Sequence, residues 1–119
     1  MATMKDLGLS WAREAGADLS AALWKIAKLD SSGNVVLATA NTGIGVITEA
    51  AVLGKPVTVQ YGGQVKVKVG SVAIAAGAPV AADSNGLAVT GTSGAAGILG
   101  VALEGGAANA IIEIAFNAG

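Results

Sequence analysis

The chain repeats itself, and a repeat constrains a fold tightly because one supersecondary unit must then serve twice. Asp30-Ser31-Ser32-Gly33 returns as Asp83-Ser84-Asn85-Gly86, 53 residues later. Ile44-Gly45-Val46 returns as Leu99-Gly100-Val101, and Glu49 as Glu104, now 55 apart. At that same spacing Val57, Val59 and Tyr61 fall on Ile112, Ile114 and Phe116. The two-residue slip places an insertion in the Gly/Ser/Thr-rich loop 90–97. We therefore expect two copies of one unit, about 21–62 and 74–117, within a single domain spanning 21–119.

Each copy reads as β-structure. Asp-Ser-Ser-Gly and Asp-Ser-Asn-Gly are turn chemistry, with the Asp bonding its own backbone and Gly supplying positive φ. Short strands follow at 35–39 and 87–90, then around 44–47 and 98–103. A small-residue turn leads into Val57-Thr58-Val59-Gln60-Tyr61 or Ile112-Glu113-Ile114-Ala115-Phe116, whose alternation is that of a half-buried strand. Gln64 to Val69 alternates too, between the copies, with Val65, Val67 and Val69 inward and Lys66 and Lys68 outward. Gly62-Gly63, between two alternating runs, reads as a hairpin turn. Gly45 and Gly100 mark bulges or close backbone approach. Residues 10–29 have near-helical apolar spacing, but the matching part of the second copy holds Gly77 and Pro79, which a helix interior tolerates badly. The repeat therefore favours an extended 23–29, with Trp24 and Ile26 on one side. The fold class expected is all-β, a small β-sandwich or barrel-like domain with little helix and an extended N-terminal arm over 1–20, ordered on binding.

The surface is the next constraint. Hydrophobic residues make up 53% of the 119, many of them alanine, and charged residues only 13%. A chain this short buries a modest share of its surface, so apolar area remains outside and marks an interface. Reactive chemistry is scarce. With no Cys and no His, disulfides, thiolate metal sites and the usual nucleophile–base pairs are excluded. A net charge of −1 provides no footprint for nucleic acid or an anionic membrane. The longest uncharged run, 84–103, is too rich in Gly, Ser, Thr and Asn to span a bilayer.

Several local patterns could be mistaken for sites. Gly62-Gly63-Gln64 matches a tripeptide that positions water in release factors, but it sits where a turn belongs. Glu49 and Glu104 could pair as acid and base, yet duplication makes them equivalent and not adjacent. Asp30 and Asp83 lack the further oxygens that Ca²⁺ needs. Lys66 and Lys68 read as a solvated face or a guard against edge pairing. No cofactor and no metal is expected. The aromatics are more informative. Trp11, near a terminus, and Leu9 suit anchoring to a partner, whereas Trp24 suits a core.

The second half carries a resemblance. Ala75-Ala76-Gly77-Ala78-Pro79-Val80-Ala81-Ala82-Asp83-Ser84-Asn85-Gly86, then Ile98-Leu99-Gly100-Val101-Ala102-Leu103-Glu104, then Ile111-Ile112-Glu113-Ile114-Ala115-Phe116, resembles the capsid decoration (cement, head-stabilising) proteins of tailed bacteriophages. It covers roughly residues 44 to 116 and consists of turns and strand patterns, with no catalytic signature. It implies a β-rich homotrimer on the exterior of a mature capsid, assembled in the host cytoplasm and clamping neighbouring copies of the major capsid protein. By location alone it implies capsid contacts in the arm, among which Leu9, Trp11, Arg13 and Leu19 are the candidates. Trp24, Tyr61 and Phe116 are candidate trimer or core anchors. The expected partners are the major capsid protein and further copies of the chain, with no nucleic acid, no membrane and no enzymatic activity. The alternative is a β-sandwich module that recognises carbohydrate or a cell surface, as on a head fibre. An enzyme using carboxylates alone is the third reading.

Overall fold

In the computed structural model, which describes residues 10–92 and 97–116, ten strands form two five-stranded sheets. The first unit holds β1 (Ser10–Glu14), β2 (Ile26–Leu29), β3 (Val35–Leu37), β4 (Gly45–Glu49) and β5 (Pro56–Gln60). The second holds β6 (Gln64–Lys68), β7 (Pro79–Ala82), β8 (Ala88–Thr90), β9 (Gly100–Ala102) and β10 (Ile111–Phe116). Strand order is β1-β5-β4-β2-β3 in one sheet and β6-β10-β9-β7-β8 in the other. Adding five to each label converts the first order into the second. The duplication seen in the sequence is thus a duplication of topology, and the all-β sandwich class follows from it.

Register repeats as faithfully as order. Trp11 opposes Val59 where Val65 opposes Ile114, and Ala27 opposes Gly45 where Val80 opposes Gly100. In both sheets the strands are antiparallel, but the chain leaving the first strand makes a parallel bridge to the third. These bridges are Ala15 to Val35 and Val69 to Ala88. Each sheet is thereby rolled toward a small barrel whose interior its own side chains fill. The Asp turns are alike down to single bonds. Asp30 Oδ1 accepts the N–H of Ser32 at 2.8 Å and of Asn34 at 3.0 Å. Asp83 Oδ1 accepts those of Asn85 at 2.7 Å and Leu87 at 3.0 Å. Gly33 and Gly86 hold the left-handed position that closes each turn.

Four expectations are corrected by this arrangement. The repeat boundaries widen: Ser10–Glu14 and Gln64–Lys68 are the matching first strands of the two units, so the copies begin there and not at 21 and 74. The stretch 10–20 is consequently no free arm. β1 pairs along its length with β5, and Ala15 and Leu19 are buried in the first unit's core. Finally, Gly62-Gly63 is not a hairpin turn. β5 is flanked by β1 and β4, and β6 pairs with β10 in the other sheet, so the glycines carry the chain between sheets. Gln60 Nε2 secures that crossing by donating to the carbonyls of Gly62 and Gln64, each at 2.8 Å. Two alternating strands joined by Gly-Gly look the same locally whether they pair or part. Strand β2 also starts later than the expected extended run, at Ile26.

A narrow barrel brings backbones close together, and glycine marks where. A Cβ on Gly45 would lie 2.6 Å from the carbonyl oxygen of Gln60 and 2.6 Å from a Val59 methyl. At the matching Gly100 it would run into the carbonyl of Ala115. Backbone cannot step aside as a side-chain tip can. Gly45→Val or Gly100→Val should each cost at least about 3 kcal/mol, the upper end of overpacking penalties. Urea unfolding of each variant checks this, and an unchanged midpoint in both would refute the close approach.

Candidate functional site

The two units meet along one wall of the first. In β2 and β4 the side chains alternate between two hydrophobic clusters. Ala27 and Ile47 point into the first unit's own core with Val35, Val57 and Val59, while Ile26 and Val46 join the core of the second unit. Ala38 belongs with them. Facing this wall is Leu99, whose methyls would stand 3.4–3.6 Å from a Cβ on Gly43, beside Ile26. Phe116 packs against the same shared core. Backbone bonds stitch the seam: Ile26 N–H to Gly86 O at 2.7 Å, Asn41 N–H to Ala82 O at 3.1 Å and Lys68 N–H to Trp24 O at 2.9 Å.

Trp24 is the unusual residue at this junction. Its φ is +68°, and the matching position in the second unit is Gly77 at +83°. The match is backed by equivalent bonds, Trp24 N–H to Ile47 O and Gly77 N–H to Ala102 O. A non-glycine residue held in that region costs about 1–3 kcal/mol, so something offsets it. The indole is half-buried against the shared core, and Lys66 Nζ lies 5.9 Å from the ring centroid, a cation–π contact.

The candidate residues distribute as follows. Leu9 lies outside the described residues. Trp11 is half-buried against the first unit's core, in the place Val65 takes in the second. Arg13 is exposed, and its Nε donates to Gly33 O at 3.2 Å, bracing the Asp30 turn. Leu19 is buried in the core, which takes it off the surface where a capsid contact would have to be. Trp24 and Phe116 are half-buried and pack against the shared core, while Tyr61, the repeat partner of Phe116, is exposed. Overlooked in the sequence were the exposed Ile44, Leu53, Val72, Leu103 and Ile111. Their hydrophobicity reads the same whether they face in or out.

Several carboxylates brace the fold. Glu49 Oε1 accepts the Thr58 hydroxyl at 2.7 Å, and Glu104 Oε2 accepts the Glu113 N–H at 3.0 Å, each within its own unit. The Ser20 N–H donates to Asp18 Oδ1 at 3.1 Å and holds that carboxyl below its ordinary pKa. Among the described residues no three acidic side chains converge as metal ligands. A shallow cleft of about 450 Å³ lies at the seam, lined by Asn41, Asp83, Thr90 and small apolar residues. Its one carboxylate is Asp83, whose Oδ1 the turn already uses. Several large apolar side chains, Leu53 and Val72 among them, are exposed instead.

No protein-family model matches the sequence, and no curated protein matches it. The fold does have a solved counterpart. It is similar to the N base of head fiber gp8.5 of bacteriophage phi29, with a TM-score of 0.71 and 15% sequence identity. The likeness covers 91% of this chain and 92% of that one, so both units and the seam between them belong to the shared architecture.

Trp24 yields a direct test. Trp24→Ala removes the packing and keeps the strain, and should cost about 3 kcal/mol. Trp24→Gly removes both, and should be the more stable of the two by roughly 1 kcal/mol. Thermal unfolding of the pair reads the order; at an unstrained position alanine would be the more stable.

Proposed function

We propose that the chain is a structural protein of a phage head, bound to the outer surface of the mature capsid and clamping neighbouring capsid subunits as a homotrimer. The observation that carries this reading is the fold shared over almost the whole length with the base of a phage head fiber. The resemblance of residues 44 to 116 to capsid decoration proteins supports it independently. The mechanism is physical. Several exposed apolar side chains spread over a small body provide weak contacts, and repeating a weak contact on each copy of an oligomer multiplies it into firm attachment. The work is done by binding, with the major capsid protein and the chain itself as partners. Carboxylates committed to turns and strand ends have no part in it.

A head-fibre role in recognising carbohydrate or a cell surface is the second reading, favoured by the likeness in fold to a head-fiber base. Tyr61 is the exposed aromatic on which such a site would be built. Specific glycan binding that vanished in Tyr61→Ala would establish it over the clamp.

The clamp is tested by mixing the purified protein with expanded heads and counting bound copies. Saturable binding that raises the temperature at which the heads rupture is expected; no binding overturns the reading. The arm is tested separately. Deleting residues 2–9 should weaken attachment at least about tenfold, some 1.4 kcal/mol. Deleting 2–20 removes β1 and should unfold the first unit.

A further inference from the structure

The duplication allows each surface of one unit to be compared with the same surface of the other, and the seam inside the chain then acts as a template. On the first unit's wall Val46 is fully buried, while its counterpart Val101 is 37% exposed. On the facing side Leu99 is 8% exposed, while its counterpart Ile44 is 42% exposed. Phe116 packs against the shared core, while its counterpart Tyr61 is 40% exposed. Thus a wall of the first unit meets a facing surface of the second. The second unit's wall and the first unit's facing surface are left uncovered, and both are apolar.

We propose that a second copy of this chain covers them, head to tail. The Val101 wall of one copy docks on the surface carrying Ile44 and Tyr61 of the next, in the manner of the internal seam. The interface is heterologous, since two different surfaces meet. It rests on the preceding reading only in treating the chain as a part used in many copies. Two differences from the seam make this joint the weaker one. Pro79 stands in register with Ile26 and has no N–H to donate, and the corresponding acceptor, Gly33 O, already takes Arg13 Nε. Ile98 also stands where the first unit has Gly43, and it packs over Gly91, leaving less room for an incoming side chain. Association should therefore depend on concentration.

Sedimentation of the full chain from about 1 μM to 1 mM, a range that spans weak to moderate contacts, tests this together with Ile44→Glu and Val101→Glu. Both positions are exposed, so both variants should keep the wild-type melting temperature, checked by circular dichroism. The wild type should form species larger than a monomer as concentration rises, and each variant alone should stay monomeric. An equimolar mixture of the two variants should form a dimer and nothing larger, because one intact joint remains between them. The proposal is overturned by a wild type that stays monomeric throughout, by a Val101→Glu effect with none from Ile44→Glu, or by a mixture that remains monomeric. Head binding separates this joint from the functional reading. A chain that assembles but ignores heads defeats only the latter, and one that binds heads as a lone monomer defeats the joint and the homotrimer while leaving attachment to the head standing.

Discussion

Everything in this molecule depends on a sheet wall that cannot be left in water. Ile26 and Val46 lie on the outside of the first rolled sheet, and both are fully buried because the second unit covers them. Burying side chains of this size contributes about 1.5–3 kcal/mol each, a substantial share of the stability of a small domain. The alternation along β2 and β4 divides each strand's side chains between the unit's own core and the seam. Neither unit is therefore a complete solution to its own hydrophobicity, and the chain works as a pair.

The pair is similar in backbone and unequal in side chains. Trp24 against Gly77 and Gly43 against Ile98 are the telling differences. At the seam the first unit uses a glycine to admit Leu99 and a strained tryptophan to cover the core. At its own wall the second unit uses glycine where no ring is needed and isoleucine where no side chain of the same molecule enters. The wall covered within the chain and the wall left uncovered within it thus differ at the same two positions. Ile44 and Val101 are the apolar residues that the single chain leaves uncovered at the matching positions.

The polar groups with hydrogen-bond or cation–π partners brace the fold. The acidic side chains with resolved partners close turns or strand ends, Arg13 braces a turn, Gln60 secures the passage between sheets and Lys66 caps an indole. Such groups stabilise a shape. The fold they hold is similar to that of the base of a phage head fiber.

The amino-acid sequence determined the repeat, the Asp turns, the alternating strands and the glycines of close approach. These are local or periodic signals, and hydrogen-bond geometry and side-chain period translate them directly. It also carried the surplus of apolar surface, since composition alone sets that. Only the tertiary structure decided which strands share a sheet. An alternating run such as Val57 to Gln60 satisfies its apolar face equally well in a hairpin with Gln64 to Lys68 or between β1 and β4. Only the third dimension, likewise, separated Leu19, buried, from Ile44, exposed. Both are aliphatic side chains in irregular segments, and what covers them comes from residues distant along the chain.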